Sequence, residues 1–338
     1  MDFLASSIIE LMVRTEQTLA HLTAIPELTV VTHAPLSRYT RFALGGPADV
    51  YAETAGVEAF IAALTFARAS GQNYVVIGGG TNLIVSDDGF RGIVLRFVAE
   101  RILAAGNRVV ADGGAVLQDL VDFTVDRGLQ GLETLAGIPG SVGAAIYGNA
   151  GAYGHSIAER VRTVRFYDGA AVRVFDNEAC EFHYRESVFK RHKDWIIFSA
   201  ELVMDTAGAA GLRKTADDIV KVRNEKFPVT MKCAGSIFKN LVLAELPDPV
   251  AQAVPQSVVR EGKVPAAYFL EEVGAKGMRR GDIHVATYHA NLLYNAGAGT
   301  AADLRALIAD LKSRVSEKFG ITLEEEVQYV GFHDGVRP

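Results

Sequence analysis

The feature that most restricts the fold is a short β-branched run that leads straight into a glycine loop. Residues 74–77 are typical of a buried strand, and Gly78 to Asn82 follow with the sequence Gly-Gly-Gly-Thr-Asn. Successive glycines let backbone N–H groups converge on an anion, because no Cβ atom obstructs them. Residues 83–85 then resume an apolar run where a Rossmann or P-loop motif would begin a helix. The pattern predicts another class of anion-binding loop, and an ordinary glycine turn is the alternative.

A second glycine-rich segment runs from Gly137 to Gly154 and consists almost entirely of small residues. We expect it to build no core and to lay its backbone against a large planar ligand, with amides bonding the ligand's edge. A long flexible loop is the alternative. It is disfavoured because Ile138, Val142 and Ile146 would then be exposed without need.

Length and composition are those of a globular protein with two or three domains. The chain has 338 residues, of which 49% are hydrophobic and 22% charged. Its net charge of −6 does not indicate the basic surface that nucleic-acid-binding proteins carry. The two cysteines, Cys180 and Cys233, belong to no CxxC or Cys/His cluster, so no metal site is predicted. Without a signal peptide or an apolar run of about 18 residues, a cytoplasmic protein that does not contact membranes is expected.

Strand and helix patterns alternate along the chain, which indicates an α+β or α/β protein. Helices are predicted over 3–22, 57–70, 117–127, 212–224, 266–273 and 301–319. Strands are predicted over 74–77, 92–97, 108–111, 161–166, 171–175, 196–202, 283–286 and 292–294.

Three further segments carry chemically active side chains. Residues 233–240 present the hydroxyl of Ser236, an ammonium and an amide close together, while Arg185 and the acidic run 324–326 lie far away in sequence. We hypothesise that a serine, an arginine and a glutamate serve one reaction. The alternatives are a turn serine, an arginine paired with Glu186 and a solvated acidic face. Strand alternation places Glu325 opposite its two neighbours but does not select one glutamate.

From about Leu36 to Gly331 the chain resembles the UDP-N-acetylenolpyruvoylglucosamine reductase (MurB) family. The resemblance is carried, in the expected order, by the two glycine-rich segments, Tyr184–Lys190, Ala234–Asn240, His289–Asn291 with Asn295, and Leu323–Val327. The spacing between Arg185 and Ser236 is too short for the tyrosine-bearing substrate loop of one branch of the family, so the chain resembles the branch that lacks this loop. Leu241 stands where the family usually has proline.

The resemblance implies an α+β protein with an FAD-binding fold of the vanillyl-alcohol-oxidase type. It predicts two FAD-binding subdomains and a smaller α+β substrate domain. The corresponding ranges are an N-terminal helix over 1–22, subdomain 1 over 23–98 with 321–338 returning near the active site, subdomain 2 over 99–226, and the substrate domain over 227–320.

The implied reaction is reduction of the enolpyruvyl ether of UDP-N-acetylglucosamine to UDP-N-acetylmuramate for peptidoglycan, with NADPH as reductant and non-covalent FAD. The resemblance makes Ser236 the donor of a proton to the carbon beside the carboxylate. It makes Arg185 and Glu326 the groups that stabilise the enolic intermediate. The chemistry agrees, because hydride addition puts negative charge on the carboxylate side, where arginine donors stabilise it and a positioned hydroxyl can deliver a proton.

The remaining expected contacts form two sets, and no metal is expected. The expected FAD-binding residues are Gly78, Gly79, Gly80, Thr81, Asn82, Gly137, Ile138, Pro139, Gly140, Ser141, Gly143, Asn149, Gly151 and Ala152. The expected substrate-binding residues are Lys239, Asn240, Lys276, His289 and Asn291. A packed histidine with a hydrogen-bonded ring is the alternative for His289. The expected partner is the UDP-sugar substrate, and the expected state is a monomer.

Two other functions are open at this point. A flavin oxidase of the same fold would pass electrons to oxygen, and a non-catalytic protein would only bind flavin or a nucleotide sugar. No histidine lies between His33 and His155, which argues against a covalent flavin tether near the first glycine loop. The presence of Arg185, Ser236 and Glu326 together argues against a mere binding protein.

Overall fold

The computed structural model describes residues 16–332, and the chain divides into two compact units. The first unit contains the residues up to 34, 48–79 and 91–225, and the second contains 35–47, 80–90 and the residues from 226 onward. The helix predicted over 3–22 begins outside the described residues, and its described part is helical over 16–23 (α1). The four-part division predicted from sequence stays a prediction.

The first unit opens with a four-stranded sheet and one helix. The strands, in spatial order, are β1 (Thr29–Pro35), β2 (Pro47–Thr54), β5 (Phe90–Phe97) and β3 (Tyr74–Ile77), with the helix α2 (Val57–Ala69) between β2 and β3 in sequence. Apolar side chains at helical spacing, including Phe60, Ala63, Leu64 and Ala67, bury one face of α2. The prediction of this helix is confirmed, and Gly71, at a φ of 67°, follows its end.

A five-stranded antiparallel sheet forms the rest of the first unit. Its strands, in spatial order, are β12 (Val172–Asp176), β11 (Val161–Tyr167), β13 (Ile196–Val203), β7 (Arg108–Asp112) and β6 (Ile102–Ala105). Short ladders join β8 (Leu129–Gln130) to β14 (Asp205–Thr206) and β9 (Gly151–Ala152) to β10 (His155–Ser156). The helices are α3 (Leu117–Asp126), α4 (Val142–Tyr147), α5 (Val188–Arg191) and α6 (Ala209–Lys226). Alternate residues of β13 are buried, as a strand with one face on the core requires.

The second unit collects short strands around a long helix. Its strands are β4 (Leu83–Val85), β15 (Leu241–Val242), β16 (Lys263–Val264), β17 (Arg279–Arg280), β18 (Ile283–Val285), β19 (Leu293–Asn295) and β20 (Gln328–Val330). Strand β20 pairs in parallel with β4, and β17, β18 and β19 form a three-stranded sheet. The helices are α7 (Asp248–Ala253), α8 (Ala266–Glu272) and α9 (Ala301–Phe319). The stripe of Leu304, Ile308, Leu311 and Val315 places one face of α9 in the core.

Helix α9 has defined ends. At its start the Thr300 hydroxyl accepts a hydrogen bond from the Asp303 amide at 3.0 Å. The Asp87 carboxylate accepts from the first two helical amides, Ala301 at 2.8 Å and Ala302 at 2.9 Å. These acceptors satisfy N–H groups that have no partner within the helix.

The prediction that residues 137–154 build no core is wrong. Helix α4 lies inside this segment, and Val142 and Ile146 are fully buried in the first unit. The small residues serve close packing, because the Gly143 amide donates to the Gly113 carbonyl at 2.8 Å and a Cβ at Gly143 would lie 2.9 Å from that oxygen. The α+β class is confirmed, whereas a flexible loop is not what this segment forms.

No helix within residues 16–332 is both long and apolar enough to cross a bilayer. The same residues contain no group of three or more His, Cys, Asp or Glu side chains placed to hold a metal ion.

Candidate active site

The two predicted cofactor loops are neighbours in the first unit. A Cβ atom on Gly78 would lie 3.4 Å from the Ser141 hydroxyl oxygen, and one on Gly79 would lie 3.6 Å from the Gly140 Cα atom. These are distances of ordinary van der Waals contact, so side chains at 78 and 79 would fill the gap between the loops. Ser141 begins α4, where its hydroxyl accepts from the Ala144 amide at 3.3 Å.

The rest of the first glycine loop belongs to the second unit. Gly80 has a φ of 66°, and a Cβ there would lie 1.7 Å from the Tyr39 carbonyl oxygen, so only glycine fits. The Asn82 side-chain amide donates to the Glu326 carbonyl at 2.6 Å, and the Asn82 carbonyl accepts from the Gln328 amide at 2.9 Å. Asn82 therefore ties the loop to the end of the acidic run.

Sequence reasoning missed the residues that support the second loop. The pair Gly113-Gly114 follows β7, and the Gly113 carbonyl receives the amide of Gly143 from α4. The side-chain oxygen of Gln118 accepts from the Gly137 amide at 2.6 Å. A glycine pair directly after a predicted strand was the available signal, whereas nothing local pointed to Gln118.

The end of α4 is anchored to the segment that carries the predicted catalytic arginine. Asn149, at a φ of 41°, donates its side-chain amide to the His183 carbonyl at 2.8 Å. The buried Ser187 hydroxyl donates to the Tyr147 carbonyl at 2.7 Å. A Cβ on Gly151 would lie only 2.5 Å from the carbonyl of His155 in the paired strand. Asn149 and Gly151 therefore stabilise the conformation of this loop.

Arg185 lies at the tip of a tight turn in the first unit. The backbones of His183 and Glu186 exchange two hydrogen bonds of 3.0 and 3.2 Å, which leaves Tyr184 and Arg185 between them. Arg185 adopts the left-handed conformation, with a φ of 57°. Its carbonyl accepts from the Lys190 ammonium at 2.8 Å, so the strained turn is supported from within its own motif.

Ser236 lies in the second unit, on a segment held on both sides. On one side Ser236 pairs with Leu292 in an antiparallel bridge, and the Ile237 amide donates to the Asn291 carbonyl at 3.1 Å. On the other side the Glu326 amide donates to the Ile237 carbonyl at 2.8 Å. Two of the three predicted catalytic residues, Ser236 and Glu326, are thus brought together within this unit.

Asn291 supports the same segment through its side chain. The amide group is buried, accepts from the Phe238 N–H at 2.9 Å and donates to the Phe238 carbonyl at 2.9 Å. A side chain here replaces a neighbouring strand as the partner of one backbone unit.

Glu324 and Glu325 of the acidic run form ion pairs with different lysines. Glu324 forms an ion pair with Lys239, and Glu325 forms one with Lys312 at 3.1 Å. The backbone of Glu326 is held at both its amide and its carbonyl, as described above. Strand alternation did not predict either of these two lysine contacts.

The other expected substrate contacts also have protein partners. The ammonium of Lys276 lies 2.9 Å from a carboxylate oxygen of Glu271. The side-chain oxygen of Asn240 accepts from the Ala266 amide at 3.4 Å. A substrate phosphate that binds Lys239 or Lys276 would replace the carboxylate now paired with that lysine.

His289 has a buried Nε2 atom for which the described part of the chain offers no hydrogen-bond partner. Its ring contacts Phe227 edge to face, with centroids 6.0 Å apart. Burial, together with the positive charges of Lys226 and Lys276, lowers the pKa of His289 from 6.5 to about 4. The ring is therefore neutral near pH 7. The alternative prediction, a packed histidine with a hydrogen-bonded ring, does not hold for the Nε2 atom.

Comparison with known proteins gives matches along most of the chain. Residues 48–174 match the model of an FAD binding domain, and residues 227–330 match that of the C-terminal domain of UDP-N-acetylenolpyruvoylglucosamine reductase. The reductase of that name from Solibacter usitatus is 69% identical over 92% of this chain and 99% of its own length. The one from Rubrobacter xylanophilus is 35% identical over 88% of this chain and 94% of its own length.

Among solved structures, the crystal structure of UDP-N-acetylenolpyruvylglucosamine reductase (MurB) from Thermus caldophilus is similar. It is 28% identical in sequence and superposes with a TM-score of 0.68. The match covers 90% of this chain and 98% of the Thermus chain.

Proposed function

The chain belongs to the UDP-N-acetylenolpyruvoylglucosamine reductase family, and from this premise we infer its reaction and the roles of its residues. It is an FAD-dependent oxidoreductase that reduces the enolpyruvyl ether of UDP-N-acetylglucosamine to UDP-N-acetylmuramate, with NADPH as the reductant. The observation that carries this conclusion is the 69% identity to a named reductase over 99% of that relative's length. The product is a precursor of peptidoglycan.

The glycine loops fit a flavin cofactor. Side chains at Gly78 and Gly79 would fill the space in front of Gly140 and Ser141, and glycine leaves this space and the neighbouring amides accessible. We assign residues 78–82 and the loop residues between 137 and 152 to FAD binding. FAD held by these loops would supply the hydride transfer from NADPH to the enolpyruvyl methylene carbon.

Ser236 is assigned the role of proton donor to the carbon beside the substrate carboxylate. The next residue, Ile237, is hydrogen-bonded on two sides and Ser236 itself pairs with Leu292, so the hydroxyl is carried on a segment with little freedom to move. A general acid must be held within hydrogen-bond reach of the atom that it protonates. This immobility supports the assignment.

Arg185 and Glu326 are assigned the stabilisation of the enolic charge. Arginine presents a planar fork of donors that suits a carboxylate, and the turn around Arg185 is supported by Lys190. The backbone of Glu326 is held at its amide by the Ile237 carbonyl and at its carbonyl by the Asn82 side chain. These contacts hold Glu326 beside the segment that carries Ser236, which supports its assignment.

The charged UDP-sugar requires cationic and polar contacts, for which we retain Lys239, Lys276, Asn240 and His289. Both lysines are paired with carboxylates that phosphate oxygens can replace. The side chain of Asn291 is engaged with Phe238, so we now assign it to holding the Ser236 segment.

A flavin oxidase and a non-catalytic binding protein are separated from the reductase by one experiment. The purified protein is mixed anaerobically with NADPH and then with the enolpyruvyl substrate while flavin absorbance is followed. NADPH should bleach the flavin, and substrate should restore its colour without oxygen. Recovery that needs oxygen would identify an oxidase, and no bleaching would identify a binding protein.

We further propose that the enzyme works as a monomer in the cytoplasm, where its product supports cell-wall growth and hence cell shape and division. A UDP-sugar and NADPH are charged molecules that do not cross membranes unaided, which supports this compartment. Light scattering coupled to size exclusion would test the oligomeric state, and a mass of about twice 36.3 kDa would contradict it.

A further inference from the structure

An ion pair lies one residue away from the proposed catalytic Glu326. The Lys312 ammonium, on α9, is 3.1 Å from a carboxylate oxygen of Glu325, and the two side chains are 32% and 22% exposed. Ion pairs this accessible to water add only about 0–1 kcal/mol to folding stability. The pair therefore matters more for geometry than for the free energy of unfolding.

Glu325 joins α9 to the segment that carries Ser236. Its backbone forms an antiparallel bridge with Phe238, and the next amide, that of Glu326, donates to the Ile237 carbonyl at 2.8 Å. One peptide unit thus separates the side chain held by Lys312 from the backbone hydrogen bond beside Ser236. A shift at Glu325 is transmitted directly to Glu326.

The Glu325 side chain points into a groove that Glu326 does not line. Lys312 and Glu325 border a cavity of about 390 Å³ together with Arg305 and other residues of α9, Tyr329 of β20, and Phe332. The chain bends at Glu326, directly after Glu325. Without Lys312 the groove leaves room for the Glu325 carboxylate to move, and the bend that carries Glu326 would move with it.

We propose that Lys312 is a positioning residue for the reduction. By holding Glu325 in the groove, it fixes the backbone position from which Glu326 presents its carboxyl group. The inference rests on the role proposed for Glu326, and Lys312 acts through Glu325 without being catalytic itself.

The test separates the two half-reactions by stopped flow. In Lys312→Met, flavin reduction by NADPH should stay at the wild-type rate, while flavin oxidation by the enolpyruvyl substrate slows roughly 10-fold, because small misplacements of catalytic groups cost one to two orders of magnitude. Lys312→Arg, which keeps the charge, should retain most of the oxidation rate. The exchanged pair Lys312→Glu with Glu325→Lys should recover part of it.

Hydrogen exchange gives a readout that does not depend on turnover. The Glu326 amide should exchange faster in Lys312→Met, because its hydrogen bond to Ile237 is less firmly held. Lys318→Met is the matched control: Lys318 lies on the same helix and pairs with Glu272 at 3.1 Å, with both side chains 47% exposed. That variant should change neither the exchange nor the oxidation rate.

Unchanged oxidation and exchange in Lys312→Met would overturn the inference, as would a Lys312→Arg variant as slow as Lys312→Met. The proposed function is tested apart from it by Glu326→Gln. A Glu326→Gln variant with wild-type turnover would overturn the role of Glu326 itself. A slow Glu326→Gln beside an unaffected Lys312→Met would overturn only the role of Lys312.

Discussion

At the residue scale, the chemistry depends on a few side chains whose backbones are unusually well held. Ser236 is the clearest case, because the residue after it, Ile237, is hydrogen-bonded to both Asn291 and Glu326. Such restraint matters for a proton donor, since its reach is short and its alignment must be kept throughout the reaction.

Replacing Ser236 by alanine should therefore slow the second half-reaction alone. We expect product formation to fall by roughly 10²-fold to 10⁴-fold, the usual range for a positioned acid–base group, with flavin reduction by NADPH nearly intact. Ser236→Cys should retain more activity than Ser236→Ala because a thiol can still donate a proton. Single-turnover flavin oxidation is the measurement, and wild-type rates in both half-reactions of Ser236→Ala would reduce Ser236 to a turn residue.

The lowered pKa of His289 predicts that the stability of the folded protein depends on pH. Its pKa of about 4 in the folded protein lies below the ordinary value of 6.5, so between these values the unfolded chain binds a proton that the folded one does not. Stability from the neutral ring is fully present above pH 6.5 and is lost as the pH falls toward 4, by an amount on the order of 2–3 kcal/mol. Thermal unfolding from pH 7 to pH 4 measures the loss.

His289→Gln should show a shallower decline in melting temperature over this range. His33→Asn is the control, because His33 is exposed and has a φ of 49°, a conformation that asparagine tolerates. If His289→Gln and His33→Asn follow the same pH curve as the wild type, the histidine is not the cause.

At the scale of single elements, the start of α9 shows how a distant loop completes a helix. The Asp87 carboxylate accepts hydrogen bonds from Ala301 and Ala302, which would otherwise lack partners within the helix. The loop that carries Asp87 also follows β4, the strand that pairs with β20. The acidic run and the helix behind it are thus supported from one loop.

Asp87→Ala should lower the stability of the second unit by about 1 kcal/mol, the usual cost of a lost N-terminal cap. Asp87→Asn keeps one side-chain acceptor and should lose less. Chemical denaturation followed by circular dichroism would measure both variants. Equal midpoints for wild type and Asp87→Ala would show that water satisfies these amides equally well.

At the scale of the whole molecule, flavin loading should depend on the bare backbone of the first glycine loop. In Gly79→Ala the added Cβ would lie in ordinary contact with Gly140, so this variant should fold and keep much of its FAD. Gly79→Leu would fill the gap between the loops and should be purified folded but largely colourless. The ratio of flavin to protein absorbance gives the occupancy.

Gly208→Leu is the matched control for this prediction. Gly208 lies in the first unit, and no atom stands within 4 Å of a Cβ placed there. It should therefore retain full flavin. Full occupancy of Gly79→Leu would contradict the assignment of this loop to FAD.

The sequence by itself determined the family, the α+β class and most helices and strands, because motif order, glycine loops and hydrophobic periodicity are local signals. Tertiary structure alone decided that Glu324 meets Lys239 and Glu325 meets Lys312, that Asn291 serves the backbone of Phe238, and that Gly137–Gly154 contains a buried helix. These outcomes arise from contacts between segments far apart in the chain. Residue periodicity records which face is apolar, but it does not record which distant lysine, amide or carbonyl will meet that face.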